Sequence, residues 1–352
     1  MDKPTYFVGI DIASGTFTSA VGKMGKKWEI AVRSAEFLNN NDGFPQYLKW
    51  LQAHGIKPTN SILCMEATGV YNEKLAYFLA AHQYRFAIEP PLKVKRSFPT
   101  AGHKSDPVDS CQISEYAYRF FDELTLWSPP EEIIEKIKIL LAIREHCVGV
   151  KVGYKNGLHA LKRKAVQVSL AMRKYEKLIL ETESEINEIE GEIKQLIALD
   201  ASFQETVNLL DSVPGVGMLL ATHVLVVLES APTASTAKSL AAYIGICPYE
   251  NTSGSSHRRS STSRHYGPPG LRRILNTAST CVRTHNPQFR EYFERKRAEG
   301  KKEKVIFNNI SNKLIKIMMG VLRTRTEYVP EYKSVRPFHQ QTLAESSSLI
   351  AA

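Results

Sequence analysis

Four acidic residues have the type and spacing to hold metal ions. Asp11 ends one predicted strand and Glu66 ends another, while Asp106 and Asp109 lie three residues apart. Helical residues at that spacing project from one face, and a carboxylate at the end of a buried strand is costly unless it meets a cation. Converging carboxylates would bind paired Mg²⁺ or Mn²⁺, and two such metals can stabilise both oxygens of a phosphodiester displacement. These four residues are called the acidic quartet below.

Simpler explanations exist for parts of the quartet. Asp106 before Pro107 has the pattern of a helix N-cap followed by proline at the first helical position, and Asp109 in the first turn suits the helix dipole. The segment Asp11–Thr16 is similar to the first phosphate loop of actin-like and sugar-kinase ATPases. The sequence lacks the second Asp-x-Gly loop and the Gly-Gly adenosine motif of those proteins, which argues against an ATPase.

The positive charge of the chain is concentrated toward its C-terminus. The formal net charge is +10, and the segment from Lys238 to Arg325 carries 18 Lys and Arg against 5 Asp and Glu. A concentrated basic surface most often faces nucleic acid, with a solvated face as the alternative. An earlier basic run suits a DNA or RNA backbone, whose binding weakens steeply with salt. It contains Lys151, Lys155, Lys162, Arg163 and Lys164.

Residues 1–127 are predicted to form an α/β domain, because strand patterns mix with helical ones. Apolar runs on both sides of the Ser14-Gly15 turn predict a β-hairpin. The predicted strands are Tyr6–Ile12, Phe17–Val21 and Ser61–Met65, and the predicted helices include Gly43–Gln52 and Tyr71–Ala81.

Residues 128–204 are predicted to form a helical assembly segment. An apolar seam at 3-4 spacing runs from Ile133 to Leu196 without a proline. Such a seam is typical of a long coiled coil or a helical hairpin and favours self-association into a dimer or tetramer. Three glycines predict a bend or an antiparallel turn within it. They are Gly149, Gly153 and Gly157.

Residues 205–336 are predicted to form a mainly α-helical domain. A Pro-Gly-x-Gly turn containing Gly215 and Gly217 precedes the apolar helix Met218–Leu228, which is the pattern of a helix-hairpin-helix. Its amides could hold a phosphate without reading sequence, although a plain inter-helix turn fits as well. A polar loop over Asn251–Gly270, a basic helix from Leu271 and a disordered tail over residues 337–352 complete the prediction.

Composition excludes several classes of protein. Five scattered cysteines without a C-x-x-C pair do not favour a disulfide framework or a zinc ribbon. Apolar runs such as Val224–Leu228 are far shorter than the about 20 residues that cross a bilayer. With no signal-peptide pattern at the N-terminus, we expect a cytoplasmic protein without a membrane partner.

The ordered set of motifs resembles the transposases of the insertion sequence 110 family and the related pilin-gene invertases. Besides the acidic quartet, the matching segments are Met65–Tyr71, Ser212–Gly217, Leu240–Gly245, Ser253-Gly254 and Gly267–Arg272. Each motif is weak alone, but together they span most of residues 6–325. The resemblance implies an N-terminal DEDD domain similar to the Holliday-junction resolvase RuvC, with an RNase H-like fold and metals bound by the quartet.

The resemblance also implies that Ser253 is a nucleophile that attacks a DNA phosphodiester, which gives a phosphoserine link and a free 3′-hydroxyl. A serine hydroxyl needs activation by a base or a metal. Judged by residue type alone, Ser255 or Ser256 would serve as well. Nearby arginines could hold the phosphate. They are Arg258, Arg259 and Arg264, followed by Arg272 and Arg273.

A further implied partner is a structured noncoding guide RNA that pairs with donor and target DNA in the bacterial cytosol, with the protein associated with the nucleoid during the reaction. Guidance by base pairing would account for the lack of a recognisable base-reading module in the sequence. Two alternatives remain open: a metal-only nuclease or junction resolvase in which water attacks, and a non-catalytic nucleic-acid-binding scaffold. Intact carboxylates at all four quartet positions argue against the scaffold.

Overall fold

The computed structural model describes residues 4–25, 28–98, 106–231, 234–253, 257–263 and 267–330, with backbone alone at residues 33, 106–108, 248–253 and 257–263. The chain divides between Pro129 and Pro130 into two compact units. The first is mixed α/β and the second is mostly helical, as the sequence predicts for the two parts of the chain.

A five-stranded sheet forms the centre of the first unit. Its strands are β1 Tyr6–Ile12, β2 Thr16–Met24, β3 Trp28–Leu38, β4 Ser61–Glu66 and β5 Phe86–Glu89. The spatial order is β3-β2-β1-β4-β5, with antiparallel pairing among the first three strands and parallel pairing of β1 with β4 and of β4 with β5. The predicted hairpin is confirmed, whereas β3 was missed because its half-exposed residues give no continuous apolar run.

Helices cover both faces of this sheet. They are α1 Gly43–Ala53, α2 Glu73–Ala81, α3 Pro91–Arg96 and α4 Asp106–Arg119, with a 3₁₀ turn at Gly69–Asn72. One face packs Val8 and Ile10 against apolar residues of α1 and α2. The opposite face packs Phe7 and Cys64 against Ile113 and other residues of α4.

The second unit consists of eight helices and one hairpin among its described residues. The elements are α5 Glu132–Lys162, α6 Ser169–Ala198, α7 Ala201–Asp211, α8 Met218–Ser230, α9 Ala237–Ile244, β6 Pro248–Ser253, β7 His257–Ser263, α10 Pro269–His285, α11 Pro287–Ala298 and α12 Glu303–Thr324. One apolar core joins the start of α5 and the end of α6 to α7 through α12. The division of this unit into a helical assembly segment at residues 128–204 and a serine domain at residues 205–336 therefore stays a prediction.

Helices α5 and α6 run antiparallel. Arg144 pairs with Glu190 near one end and Lys162 with Glu176 near the other. The predicted turn at the three glycines is wrong, because α5 continues through them and the chain reverses at residues 163–168. A Cβ on Gly157 would lie 2.8 Å from the Tyr175 ring, so this glycine makes room for an aromatic side chain. The coiled coil itself stays a prediction.

The segment predicted as a polar loop contains a β-hairpin. Strands β6 and β7 pair antiparallel from Pro248 opposite Ser263 to Ser253 opposite His257. The prediction was wrong because polar residues fill both strands, so no apolar alternation marks them. We call β6 and β7 the serine hairpin. The predicted tail at residues 337–352 lies outside the described residues.

Helix α8 follows the predicted Pro-Gly-x-Gly turn after α7. Gly215 has a φ of +77° in this turn, a conformation that glycine adopts without strain. A helix-hairpin-helix stays a prediction. Across the described ranges, no helix combines the length and apolar character needed to cross a membrane.

Candidate catalytic site

Strand register brings the first two carboxylates of the quartet together. Alternate residues of a strand share a face, so Asp11 lies on the face of β1 that carries Phe7, and Glu66 lies on the face of β4 that carries Cys64. Phe7 and Cys64 belong to the core beneath α4. Because β1 and β4 are parallel and in register at their ends, Asp11 and Glu66 stand side by side at one edge of the sheet.

The third carboxylate, Asp109, comes from the first turn of α4, which approaches the sheet closely. A Cβ on Gly9 would lie 2.1 Å from the Ser110 carbonyl oxygen and 2.2 Å from the Ser114 amide nitrogen. Ser114 Oγ donates a 2.8 Å hydrogen bond to the Phe7 carbonyl oxygen. Glycine on the strand and serine on the helix therefore hold the start of α4 against β1, a contact that the sequence analysis did not anticipate.

The Glu66 carboxyl shows that these groups interact. Burial raises its pKa, the Asp11 and Asp109 carboxylates raise it further, and the Lys95 ammonium lowers it. Clustered, partly desolvated carboxylates are what a divalent cation would neutralise. Glu66 thus lies within electrostatic reach of two other members of the quartet.

The donor chemistry of the quartet fits Mg²⁺ or Mn²⁺, which prefer carboxylate oxygens. Among the described side chains, no three His, Cys, Asp or Glu residues already form a group arranged to hold a metal ion. The side chain of Asp106 lies outside the description, although α4 begins at this residue. The metal-binding role of the quartet stays a prediction.

Glu89 is a nearby carboxylate that the sequence analysis missed. It is opposite Glu66 in the register of β4 and β5, is 5% exposed and forms a salt bridge with Lys93 Nζ at 2.9 Å. The available signal was an acidic residue at a strand end before Pro90. Because Lys93 already neutralises Glu89, this carboxylate differs from the quartet and offers a matched control.

Ser253 ends β6 in the second unit. The register places Thr252 opposite Arg258 and Asn251 opposite Arg259, so two of the predicted phosphate-binding arginines share the serine hairpin with the predicted nucleophile. Residues 254–256 and the predicted phosphate-binding residue Arg264 lie outside the described residues.

Arg272 and Arg273 form contacts within the protein. Arg272 Nη1 donates to the Ile244 carbonyl oxygen at 2.9 Å and to the Gly267 carbonyl oxygen at 2.7 Å. Arg273, on the exposed side of α10, forms a salt bridge with Glu145 of α5. The sequence suggested phosphate binding for both arginines and could not reveal these partners.

The two predicted phosphate-binding glycines differ in their surroundings. A Cβ on Gly215 would lie 2.3 Å from Val282 Cγ1, so this glycine allows the turn to pack on α10. Gly217 precedes α8 and would have open space around a Cβ. Space for a ligand therefore exists at Gly217, whereas Gly215 has a packing role.

Three residues of the predicted basic run line a cleft of about 430 Å³ beside the helix pair α5 and α6, together with His159 and apolar side chains. The three residues are Lys155, Lys162 and Arg163. Lys151 and Lys155 each lie within 4 Å of the Glu183 carboxylate, while Lys164 lies in the turn after α5. Three of the six cleft-lining residues are Lys or Arg, and Lys155 and Lys162 each form a salt bridge with a glutamate.

Two transposase families match the two parts of the chain. The family described as "Transposase", of the DEDD type of IS110 elements, matches residues 8–166. The family described as "Transposase IS116/IS110/IS902 family" matches residues 207–294. The first match includes the whole acidic quartet and the second includes Ser253.

Curated relatives agree with these matches. The pilin gene-inverting protein of Moraxella lacunata is 29% identical over 321 residues, which cover 90% of this chain and 95% of the relative. The pilin gene-inverting protein of Moraxella bovis gives the same figures. The "Insertion element IS110 uncharacterized 43.6 kDa protein" of Streptomyces coelicolor is 30% identical over 119 residues, 34% of this chain and 29% of that protein.

Proposed function

The chain belongs to the IS110 family of transposases and is a DNA recombinase, and on this premise we propose that it moves or inverts a DNA element through a phosphoserine intermediate at Ser253, assisted by Mg²⁺ or Mn²⁺ at the acidic quartet. The proposed metal binding rests on the convergence of Asp11, Glu66 and Asp109 on one face of the sheet. The Asp11 and Asp109 carboxylates both raise the pKa of Glu66.

In the proposed reaction, Ser253 Oγ attacks a DNA phosphorus atom. The new Oγ–P bond replaces the bond from phosphorus to the 3′-oxygen, which leaves as a hydroxyl after taking up a proton. The serine proton passes to a base. A 3′-hydroxyl of the partner DNA strand later attacks the phosphoserine and releases Ser253. Bound Mg²⁺ would supply Lewis-acid polarisation of the phosphate and stabilisation of the leaving oxygen.

The basic residues support nucleic acid as the partner. Arg258 and Arg259 share the serine hairpin with Ser253, and the cleft beside Lys155 and Lys162 is open and basic. We propose donor and target DNA as substrates of the serine hairpin, and a guide RNA that selects them by base pairing. Both sets of contacts would weaken with added salt.

The helix pair supports self-association. Large apolar side chains remain exposed along it, including Ile139 at 58% and Leu180 at 67%. These side chains are available for contact with a second copy, and we propose that residues 128–204 assemble a dimer or tetramer of this chain. Light scattering of wild type against an Ile139→Glu and Leu180→Glu double variant tests this, and an unchanged mass would contradict it.

The proposed chemistry is tested by searching for a covalent protein–DNA adduct on a denaturing gel. The protein is expressed with its native flanking DNA and supplied with Mg²⁺. The adduct should form with wild type and disappear with Ser253→Ala and with Asp11→Ala. Ser255→Ala, Ser256→Ala and Glu89→Gln are matched controls that should keep it.

Two outcomes would overturn parts of the proposal. Cleavage without an adduct that persists in Ser253→Ala would indicate attack by water and a metal-only nuclease. Loss of the adduct in Ser255→Ala or Ser256→Ala, but not in Ser253→Ala, would assign the nucleophile to that serine instead.

A further inference from the structure

We propose that Arg272 is a positioning residue that ties the two ends of the serine hairpin together, and that it is not a phosphate ligand. The inference rests on the proposed role of Ser253 as the nucleophile. It assigns to Arg272 a function that its charge and its place in a basic segment do not suggest.

One nitrogen of the Arg272 guanidinium makes two hydrogen bonds, one to each side of the hairpin. Arg272 Nη1 donates to the carbonyl oxygen of Ile244, the last residue of α9, and to the carbonyl oxygen of Gly267. Ile244 precedes β6 and Gly267 follows β7. Because Nη1 carries two hydrogens, its donor capacity is used by the two chain segments that lead into and out of the hairpin.

Gly267 lets these segments lie in direct contact. A Cβ at this position would be 1.9 Å from the Tyr243 carbonyl oxygen and 2.8 Å from Ile244 Cα. Any side chain would push the segment after β7 away from the end of α9. The close contact at Gly267 and the Arg272 hydrogen bonds therefore hold the same two segments together.

A second side chain holds the segment before β6. Asn308 of α12 donates through Nδ2 to the Ile246 carbonyl oxygen at 2.8 Å. Arg272 itself stands on α10 beside Leu271, which is 1% exposed in the core. The base of the serine hairpin is thus attached to two helices that are packed in the core of the second unit.

A hairpin of polar residues depends on such attachments. Two strands alone are marginally stable in water, and the described strands consist largely of polar residues. The attachments at its base therefore control where Ser253 stands. A displacement of about 1 Å at a reacting group can cost about 10²-fold in rate, so a loosened base should slow the attack on DNA while the protein still binds DNA.

The two possible roles of Arg272, phosphate ligand and positioning residue, lead to different expected results. Loss of a phosphate contact weakens DNA binding and reduces the slope of log affinity against log salt by about 1. Loss of a tie at the hairpin base leaves the salt slope unchanged, slows adduct formation and speeds hydrogen exchange of the hairpin amides. Arg273→Gln is the matched control, because Arg273 is the next residue and pairs with Glu145.

The experiment compares the full-length wild type with Arg272→Gln, Arg272→Lys, Gly267→Ala and Arg273→Gln. For each protein we would measure DNA affinity over a salt series, the single-turnover rate of adduct formation and hydrogen exchange at residues 248–263. In Arg272→Gln and Gly267→Ala we expect about 10- to 100-fold slower adduct formation, faster exchange and an unchanged salt slope. Arg272→Lys, which keeps the charge and part of the donor set, should recover only part of the rate.

The outcomes separate the inference from the proposed function. A reduced salt slope with unchanged hairpin exchange in Arg272→Gln would overturn the inference and make Arg272 a phosphate ligand. Equal adduct rates in wild type and both Arg272 variants would overturn it as well. If wild type forms no adduct, the proposed function fails, and unchanged exchange in Gly267→Ala and Arg272→Lys would then reject the tie independently.

Discussion

At the scale of single residues, Glu66 connects the proposed metal binding with the stability of the folded protein. Its pKa is raised, because burial and the neighbouring Asp11 and Asp109 carboxylates disfavour the charged form. A bound cation would remove this penalty. Glu89, in contrast, forms a salt bridge with Lys93.

We therefore predict that Mg²⁺ raises the melting temperature of wild type but not of Glu66→Gln. Ligand binding to the folded state stabilises it by mass action, and the amide removes a charged ligand. The measurement is thermal unfolding over a Mg²⁺ series, with Glu89→Gln as a control that keeps the response. An equal response in wild type and Glu66→Gln would argue against metal binding by the quartet.

His223 in α8 is a second residue with a marked shift. Burial and the neighbouring Arg144 guanidinium lower its pKa to about 4, and Arg144 in turn forms a 2.7 Å salt bridge with Glu190. The folded protein holds this imidazole neutral, whereas an unfolded chain protonates it near pH 6.5. Its contribution to stability is thus complete above pH 6.5 and declines as the pH falls toward about 4.

The expected consequence is a loss of stability in mild acid. Relative to pH 7.5, the free energy of unfolding at pH 5 should fall by about 2 kcal/mol through this group. His223→Gln, which does not titrate, should lack that part of the decrease. Urea unfolding of both proteins at the two pH values measures the difference, and parallel pH profiles would contradict the assignment.

At the scale of elements, the contact of α4 with β1 decides whether Asp109 can join Asp11 and Glu66. Gly9 supplies the space on the strand, and Ser110 and Ser114 supply a narrow helix face. Both serines are fully buried. A helix with larger residues at these positions would stand farther from the sheet and carry its carboxylates away.

Gly9→Ala should therefore destabilise the protein and impair metal-dependent cleavage together. Added volume in a packed core costs about 1–3 kcal/mol, and the displaced helix would carry Asp109 from its neighbours. Gly15→Ala is the matched control, since a Cβ there would have open space within 4 Å. Urea unfolding and a cleavage assay measure both effects; a normal cleavage rate in Gly9→Ala would show that helix distance does not control the site.

At the scale of the whole molecule, the acidic quartet and the excess positive charge lie in different units. In the second unit, Lys313 Nζ lies 3.9 Å from the Tyr292 ring centroid. Burial and three neighbouring cations lower the Lys313 pKa; they are Arg295, Lys316 and Lys296. Crowded cations repel one another, and a bound polyanion would relieve that repulsion.

Lys313→Gln with Lys316→Gln is expected to reduce the slope of log affinity against log salt by about 2 for DNA. Binding should weaken regardless of sequence, because such contacts read the backbone. Lys136→Gln, which removes an exposed lysine paired with Glu132, is the control and should leave the slope unchanged. Fluorescence anisotropy over a salt series gives the slopes, and an unchanged slope in the double variant would exclude this surface.

The sequence by itself determined the fold class of both parts and the candidates for chemistry. Apolar runs that end near Asp11 and Glu66 marked strands whose ends carry candidate site residues, because strand alternation and apolar periodicity are local properties. The resemblance to a transposase family likewise depended on short motifs in order. Charge composition likewise indicated a polyanion partner, because charges can be counted without knowing which residues are in contact.

Only the tertiary structure decided which of these residues meet. The closeness of Asp109 to Asp11 and Glu66 depends on the space at Gly9, where a strand and a helix distant in sequence come into contact. The hydrogen bonds of Arg272 to Ile244 and Gly267 likewise join segments that no local pattern connects. Whether an arginine binds phosphate or its own backbone is decided by packing, because the side chain has the same charge and donors in either role.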